Sequence, residues 1–125
     1  MSKAAELAEF GGGISGGTDA VAGVAKAWVN FNGTGTITTL DSMNIASLTD
    51  TSTGNHSANY VSNMDNTYAA KFYSCDGNNS TNYARIGTMA GPASTSLAQV
   101  RTHLASNTTL ADMARVNITV NGDLA

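Results

Sequence analysis

The chain has 125 residues, room for one compact domain around one core and not for two of ordinary size. Charged residues make up only 12% of it, about half the usual share, and its 42% hydrophobic content is not that of a disordered chain, which would combine low hydropathy with high charge. The net charge is -3 and the basic residues are scattered at Lys3, Lys26, Lys71, Arg85, Arg101 and Arg115, so there is no basic stripe for nucleic acid to follow.

The lone cysteine, Cys75, cannot form an internal disulfide, which leaves packing or oligomerisation to stabilise the domain. The N-terminal residues 1 to 10, MSKAAELAEF, lack the apolar core of a signal peptide, so export by the general secretory route is not expected. No run of about 18 apolar residues is present, and membrane insertion is not expected either.

Residues 2 to 10 carry the only helix chemistry. Ser2 can cap, and Ala4, Leu7, Ala8 and Phe10 approximate a helical stripe. So short a helix is marginal alone and needs a docking partner. Residues 11 to 19, GGGISGGTD, follow as a glycine-rich linker, or as a chain threading a tight interface where side chains do not fit. Residues 1 to 23 are therefore expected to form a short docked segment and linker, and residues 24 to 125 the domain.

The domain opens on residues 26 to 36, KAWVNFNGTGT, an extended strand running into a glycine-threonine turn. Alternation puts Trp28, Asn30 and Asn32 on one side and Ala27, Val29 and Phe31 on the other. Both sides carry apolar groups, so cover is expected on both, from a second sheet or from a neighbouring subunit. Further strands are expected at 37–40, 43–49, 55–62, 67–74, 83–89, 96–104 and 114–121, each rich in β-branched or aromatic residues.

The turns between them have identifiable chemistry. Residues 50 to 54 close a hairpin, and the Asx-rich stretches 62–66 and 76–80 tolerate left-handed backbone. Pro92 marks a connection rather than a central strand. The expected fold is all-β, a small antiparallel β-sandwich of about seven to eight strands preceded by a short N-terminal helix or extended anchor. Its expected interior is Val29, Phe31, Ile45, Leu48, Tyr60, Phe72, Ile86, Leu97, Val100, Leu104, Val116, Ile118 and Val120.

Catalytic chemistry is thinly supplied. His56 falls just after a hairpin tip and reads as a solvated turn residue. His103 falls within a strand and reads as exposed or at an interface. Cys75 reads as a small buried apolar group. No catalytic residue, metal or cofactor is assigned, because no histidine or cysteine pair has ligand spacing and the Asp76-Gly-Asn-Asn-Ser80 loop lacks the acidic count of a calcium loop. Asp50, Asp65 and Asp112 read as turn formers. The Asn-x-Ser/Thr matches at Asn32, Asn55, Asn78, Asn79, Asn107 and Asn117 follow from composition. Trp28, Tyr60, Tyr68, Tyr73 and Tyr83 are the candidate oligomer or glycan contacts. Aromatic rings lining one exposed face can stack on sugars, but a core or interface anchor is the favoured reading of Trp28 and Tyr60, since a single large aromatic in a small domain is usually needed inside.

The run KAWVNFNGTGT, followed by SMNIASLTD, the glycine hairpin TSTGNHSANY, the turn SNMDNTY and the strand into FYSCD, resembles a domain of tailed-bacteriophage fibre and related virion proteins. The closing stretch VRTHLASNTTLADMARVNITVNGD is similar to the end of such domains, so the likeness covers residues 24 to 122. The opening SKAAELAEF resembles the virion-attachment end of phage tail fibre proteins. The resemblance implies a non-enzymatic structural protein of the virion, homotrimeric, joined to other tail or capsid proteins through its N-terminal segment and displaying a β-sandwich on the particle surface, where a host-surface glycan is the ligand that the aromatic candidates would hold. With one domain and no shaft, the chain has the length of a short fibre, a head fibre or a capsid decoration protein. A free-standing carbohydrate-binding module is the alternative from another class.

Overall fold

A computed structural model of the chain describes residues 24–76, 84–85, 91, 93–104 and 109–125. The expected N-terminal helix, the linker and most of the 83–89 strand lie outside the described residues, as do Ile86 and Tyr83. Within them the chain forms nine strands in the order β1 (Ala25–Asn32), β2 (Thr38–Met43), β3 (Ile45–Ser52), β4 (Asn55–Tyr60), β5 (Ala70–Asp76), β6 (Ala84–Arg85), β7 (Leu97–Arg101), β8 (His103–Leu104) and β9 (Arg115–Asn121). The fold is all-β and antiparallel, a sandwich of a four-stranded sheet, β2-β1-β9-β5, and a three-stranded sheet, β3-β4-β7, with β6 and β8 paired beside them.

Register explains the core. Across the four-stranded sheet Ala27 pairs with Val120 and Val120 with Lys71, Val29 with Ile118 and Ile118 with Tyr73, and Phe31 with Val116 and Val116 with Cys75. These rows share one face because paired residues of an antiparallel ladder point the same way. The facing rows of the three-stranded sheet bring His56 beside Val100 and Ala58 beside Ala98, with Tyr60 beside Ile45 at the end. Ala27, Ala58 and Ala98 are fully buried, and their small side chains leave room for the large buried groups Phe31, Met64 and Met113. Lys71 lies at the rim of this face on an edge strand, where partial burial holds its ammonium below the usual pKa.

Of the expected interior, Val29, Phe31, Tyr60, Val100, Val116, Ile118 and Val120 are buried, and Ile45, Leu48 and Leu104 pack against them. Phe72 is a correction: its side chain is 62% exposed. Phe72 pairs with Thr119 on the outer face, and its neighbour Tyr73 takes the inward position through Ile118. Leu97 also faces outward, opposite Asn59 and half-buried.

The expected break between the second and third strands falls elsewhere. It lies at Asn44, whose φ of 57° is left-handed, rather than at residues 41–42. Residues 38–52 are nearly continuous strand that bends there and passes from one sheet to the other. Asn is among the few side chains that tolerate this backbone, and the corner is tied on both sides. Asn44 Nδ2 donates to the Lys26 and Ser62 carbonyls, each at 3.0 Å, and Asn44 Oδ1 accepts from the Ser62 N–H at 2.7 Å. The strand expected at 67–74 runs instead from Ala70 to Asp76. The strand expected at 96–104 is interrupted at the buried Thr102, whose Oγ1 donates to the Ala111 carbonyl at 2.6 Å.

The hairpin at residues 50–54 forms as expected, turning at Gly54 with φ 65°. A Cβ there would meet Thr102 O at 2.6 Å and Ala111 N at 2.7 Å, both backbone atoms that cannot yield, so the position requires glycine.

Candidate functional site

The outer face of the four-stranded sheet is built by the same register that makes the core. One row crosses all four strands, Met43 pairing with Trp28, Trp28 with Thr119 and Thr119 with Phe72. The next row is Asp41, Asn30, Asn117 and Ser74, paired in that order. Phe72 and Met43 are 62% and 40% exposed, and Trp28 is half-buried. Two β-bulges flank the Trp28 row, one setting Leu40 out of the β1–β2 ladder and the other setting Lys26 out of the β1–β9 ladder. Such bulges increase local twist and re-aim side chains.

An apolar row lying parallel to an amide and carboxylate row, two residues along the strands or about 7 Å away, forms an amphipathic strip. Asp41 stands on β2, and Asp76 pairs with Arg115 at the far end. Asn117 Nδ2 donates to Ser74 Oγ at 3.1 Å, whereas Asn30 Oδ1 has no donor among the described residues.

The five aromatic residues singled out in the sequence separate into different places. Trp28 is on this outer strip. Tyr68, 91% exposed, stands in the loop before β5, its N–H held by Asn66 Oδ1 at 2.8 Å. Tyr60 and Tyr73 lie between the sheets, Tyr60 fully buried and Tyr73 half-buried, and belong to the core rather than to any contact surface. Burial pushes both phenols above their ordinary pKa, and the neighbouring Tyr73 adds to the shift of Tyr60. Tyr83 lies outside the described residues. Phe72 belongs to the strip and was not among the expected contacts. The signal for it was the adjacency of two aromatics, Phe72 and Tyr73, only one of which can face inward on a strand.

His56 is a second correction. The expected solvated turn residue is completely buried, because β4 begins at Asn55 and alternation turns His56, Ala58 and Tyr60 inward. Its ring packs edge-on against Phe31, centroids 5.5 Å apart, and a Cβ on Gly33 would meet its Nε2 at 2.9 Å. Asp50 Oδ1 lies 3.6 Å from Nδ1 and Asp112 Oδ1 lies 3.7 Å from Nε2, both beyond hydrogen-bond reach. Burial pulls its pKa below the ordinary histidine value, and the two carboxylates oppose that without reversing it. Asp112 Oδ1 instead accepts the Gly54 N–H at 2.6 Å. Asp50 is a strand residue of β3 rather than a turn former. This imidazole between two carboxylates is sealed from solvent, and no substrate can reach it.

Comparison with protein-family models, with curated proteins and with solved structures finds no match. The assignment of this face therefore rests on its geometry.

Cys75 is half-buried against the core, and burial together with the Asp76 carboxylate raises its thiol pKa. Among the described residues no cluster of histidine, cysteine and carboxylate side chains could hold a metal ion. Among the same residues no helix is long and apolar enough to cross a membrane.

Proposed function

We propose that the chain is a non-enzymatic structural protein of a bacteriophage virion, a short trimeric fibre or adhesion module that contributes to host attachment. Residues 1–23 join it to other tail or capsid proteins, and the sandwich is displayed on the particle. The observation that carries this reading is the position of the KAWVNFNGTGT run. Its strand, β1, lies inside the four-stranded sheet, contributes Ala27, Val29 and Phe31 to the core, and turns Trp28 and Asn30 to an open outer face. A module that uses one strand both to fold and to present a contact row suits a display protein.

A capsid decoration protein, which the resemblance of the same strands also implies, is the second reading. The amphipathic outer strip favours a third, a carbohydrate-binding module that works free of any particle. Purified virions decide among them. Mass spectrometry should find the chain in gradient-purified particles, and gold-labelled antibody against the sandwich should mark the tail tip for a fibre or the capsid for a decoration protein. Absence of the chain from particles would leave the free module. Deleting residues 2–17 should give a folded domain that no longer joins the particle, and its retention on virions would overturn the anchor assignment.

A further inference from the structure

The geometry points to the outer face of the four-stranded sheet as a binding site for a neutral surface polysaccharide, laid across the strands along the Met43–Trp28–Thr119–Phe72 row. Glycan binding here deepens the attachment role proposed above. The two fail separately, because the presence of the chain on particles says nothing about a ligand, and titration of the purified protein says nothing about virions.

Three features select this ligand. Trp28 on β1 and Phe72 on β5 are separated by β9, so the two rings stand two strand spacings apart, about 10 Å. Sugar rings present apolar C–H faces that stack on aromatic planes, and one extended chain can rest on both. Beside this row, Asp41 and Asn117 offer a carboxylate and an amide to the hydroxyl groups at the edges of the same rings, whereas the Asn30 Oδ1 atom is itself buried and turned away from a ligand. In these rows Asp41 stands on β2 and Asp76 pairs with Arg115, so among the described residues the rows hold no cationic cluster to select an acidic polymer or a phosphate.

A second copy of the chain fits the face less well. The apolar part of the face is one side chain wide. A facing subunit would have to bury Asp41 and Asn117 as well, at the cost of leaving polar groups without water. A glycan chain places hydroxyls where those groups need them.

The chain has a single tryptophan, so Trp28 reports directly on the site. The full-length protein should be titrated with mannohexaose and cellohexaose as neutral probes and with hexagalacturonate as the acidic control, by Trp28 fluorescence and by calorimetry. At least one neutral hexasaccharide should bind with a Kd of about 1 mM or tighter and shift the emission saturably. Phe72→Ala and Asp41→Ala should each weaken that binding about tenfold, and Asn59→Ala on the opposite sheet should leave it unchanged. Phe72 is largely exposed, so its replacement tests the site without testing the fold. Neutral probes that change neither emission nor heat at about ten times that concentration would overturn the site. So would tighter binding of the acidic probe, or full affinity in Phe72→Ala. A ligand-free protein that sediments as an oligomer and is dissociated by Phe72→Ala would give the face to a second copy instead.

Discussion

The two sheets turn different chemistry to solvent. Outside the three-stranded sheet, Ser47, Thr49, Ser57, Asn59 and Gln99 bond to one another. Asn59 Nδ2 donates to Ser47 Oγ and Thr49 Oγ1, each at 3.1 Å, and Gln99 Nε2 donates to Ser57 Oγ at 3.4 Å. Gly91 lies so close to Gln99 that a Cβ there would collide with its side chain, and Ser57 is only 6% exposed. Outside the four-stranded sheet, Trp28, Phe72 and Met43 stand in a row that nothing among the described residues covers. Amide and hydroxyl side chains can close a sheet face by bonding across strands, whereas aromatic side chains on a face leave their surface to be covered by something else. One face is finished within the chain, and the other is built to be met.

Both faces ride on one core, and removing it should erase the contrast altogether. Phe31→Ala empties a fully buried site between the sheets and should cost about 3–5 kcal/mol in urea unfolding. A loss below about 1 kcal/mol would mean that the sheets are not packed through Phe31. Asn44→Ala attacks the corner that holds the two sheets in register. It removes the side-chain bonds to Lys26, Ser62 and the left-handed tolerance together, and should cost about 2–3 kcal/mol. Asn44→Gly keeps the backbone tolerance and should cost less. Equal losses in the two variants would show that only the side-chain bonds matter.

Acid acts on the inner side of the finished sheet. The folded protein holds the His56 imidazole below its ordinary pKa, so below about pH 6.5 the unfolded chain binds a proton that the folded one resists. Stability should therefore fall as pH drops through that value and level off once the folded pKa is passed. Urea midpoints at successive pH values should show this for the natural chain and a flatter profile for His56→Gln. An identical profile in both would remove His56 as the cause.

The smallest effects separate the two outer faces most sharply. Asn59→Ala breaks the closed ladder and should cost about 0.5–1 kcal/mol. Phe72→Ser on the open face should stay within about 0.5 kcal/mol of the natural chain. The opposite order in thermal melts would mean that Phe72, not Asn59, serves the fold.

Much of this architecture was legible as alternation. β1 and β9 fall where β-branched and aromatic residues recur with period two, and Val29, Phe31, Val116, Ile118 and Val120 follow from that pattern alone. Alternation finds two faces without saying which is inside. Phe72 and Tyr73 are adjacent aromatics, and only the pairing of Tyr73 with Ile118, itself paired with Val29, turns Phe72 outward. His56 was misplaced because a polar residue after a hairpin tip looks solvated, although its period matches Ala58 and Tyr60. Ala58 and Ala98 were not among the expected interior residues because small side chains carry little hydropathy, yet they are fully buried in the core. Asn44 gives no signal by itself, since its role depends on Lys26 and Ser62 meeting it from elements far away in the chain. The Trp28 strand was recognisable as needing cover on both sides, and the row that completes its outer surface became visible only with the register of four strands.

The contrast between the faces is tested most directly by following backbone and side-chain amide resonances of the ¹⁵N-labelled protein as mannohexaose or cellohexaose is added. Shifts should gather at the Trp28 indole N–H and the Asn117 side-chain amide, while Asn59 and Gln99 stay in place. Shifts gathered at Asn59 and Gln99, or none at either face, would contradict the account.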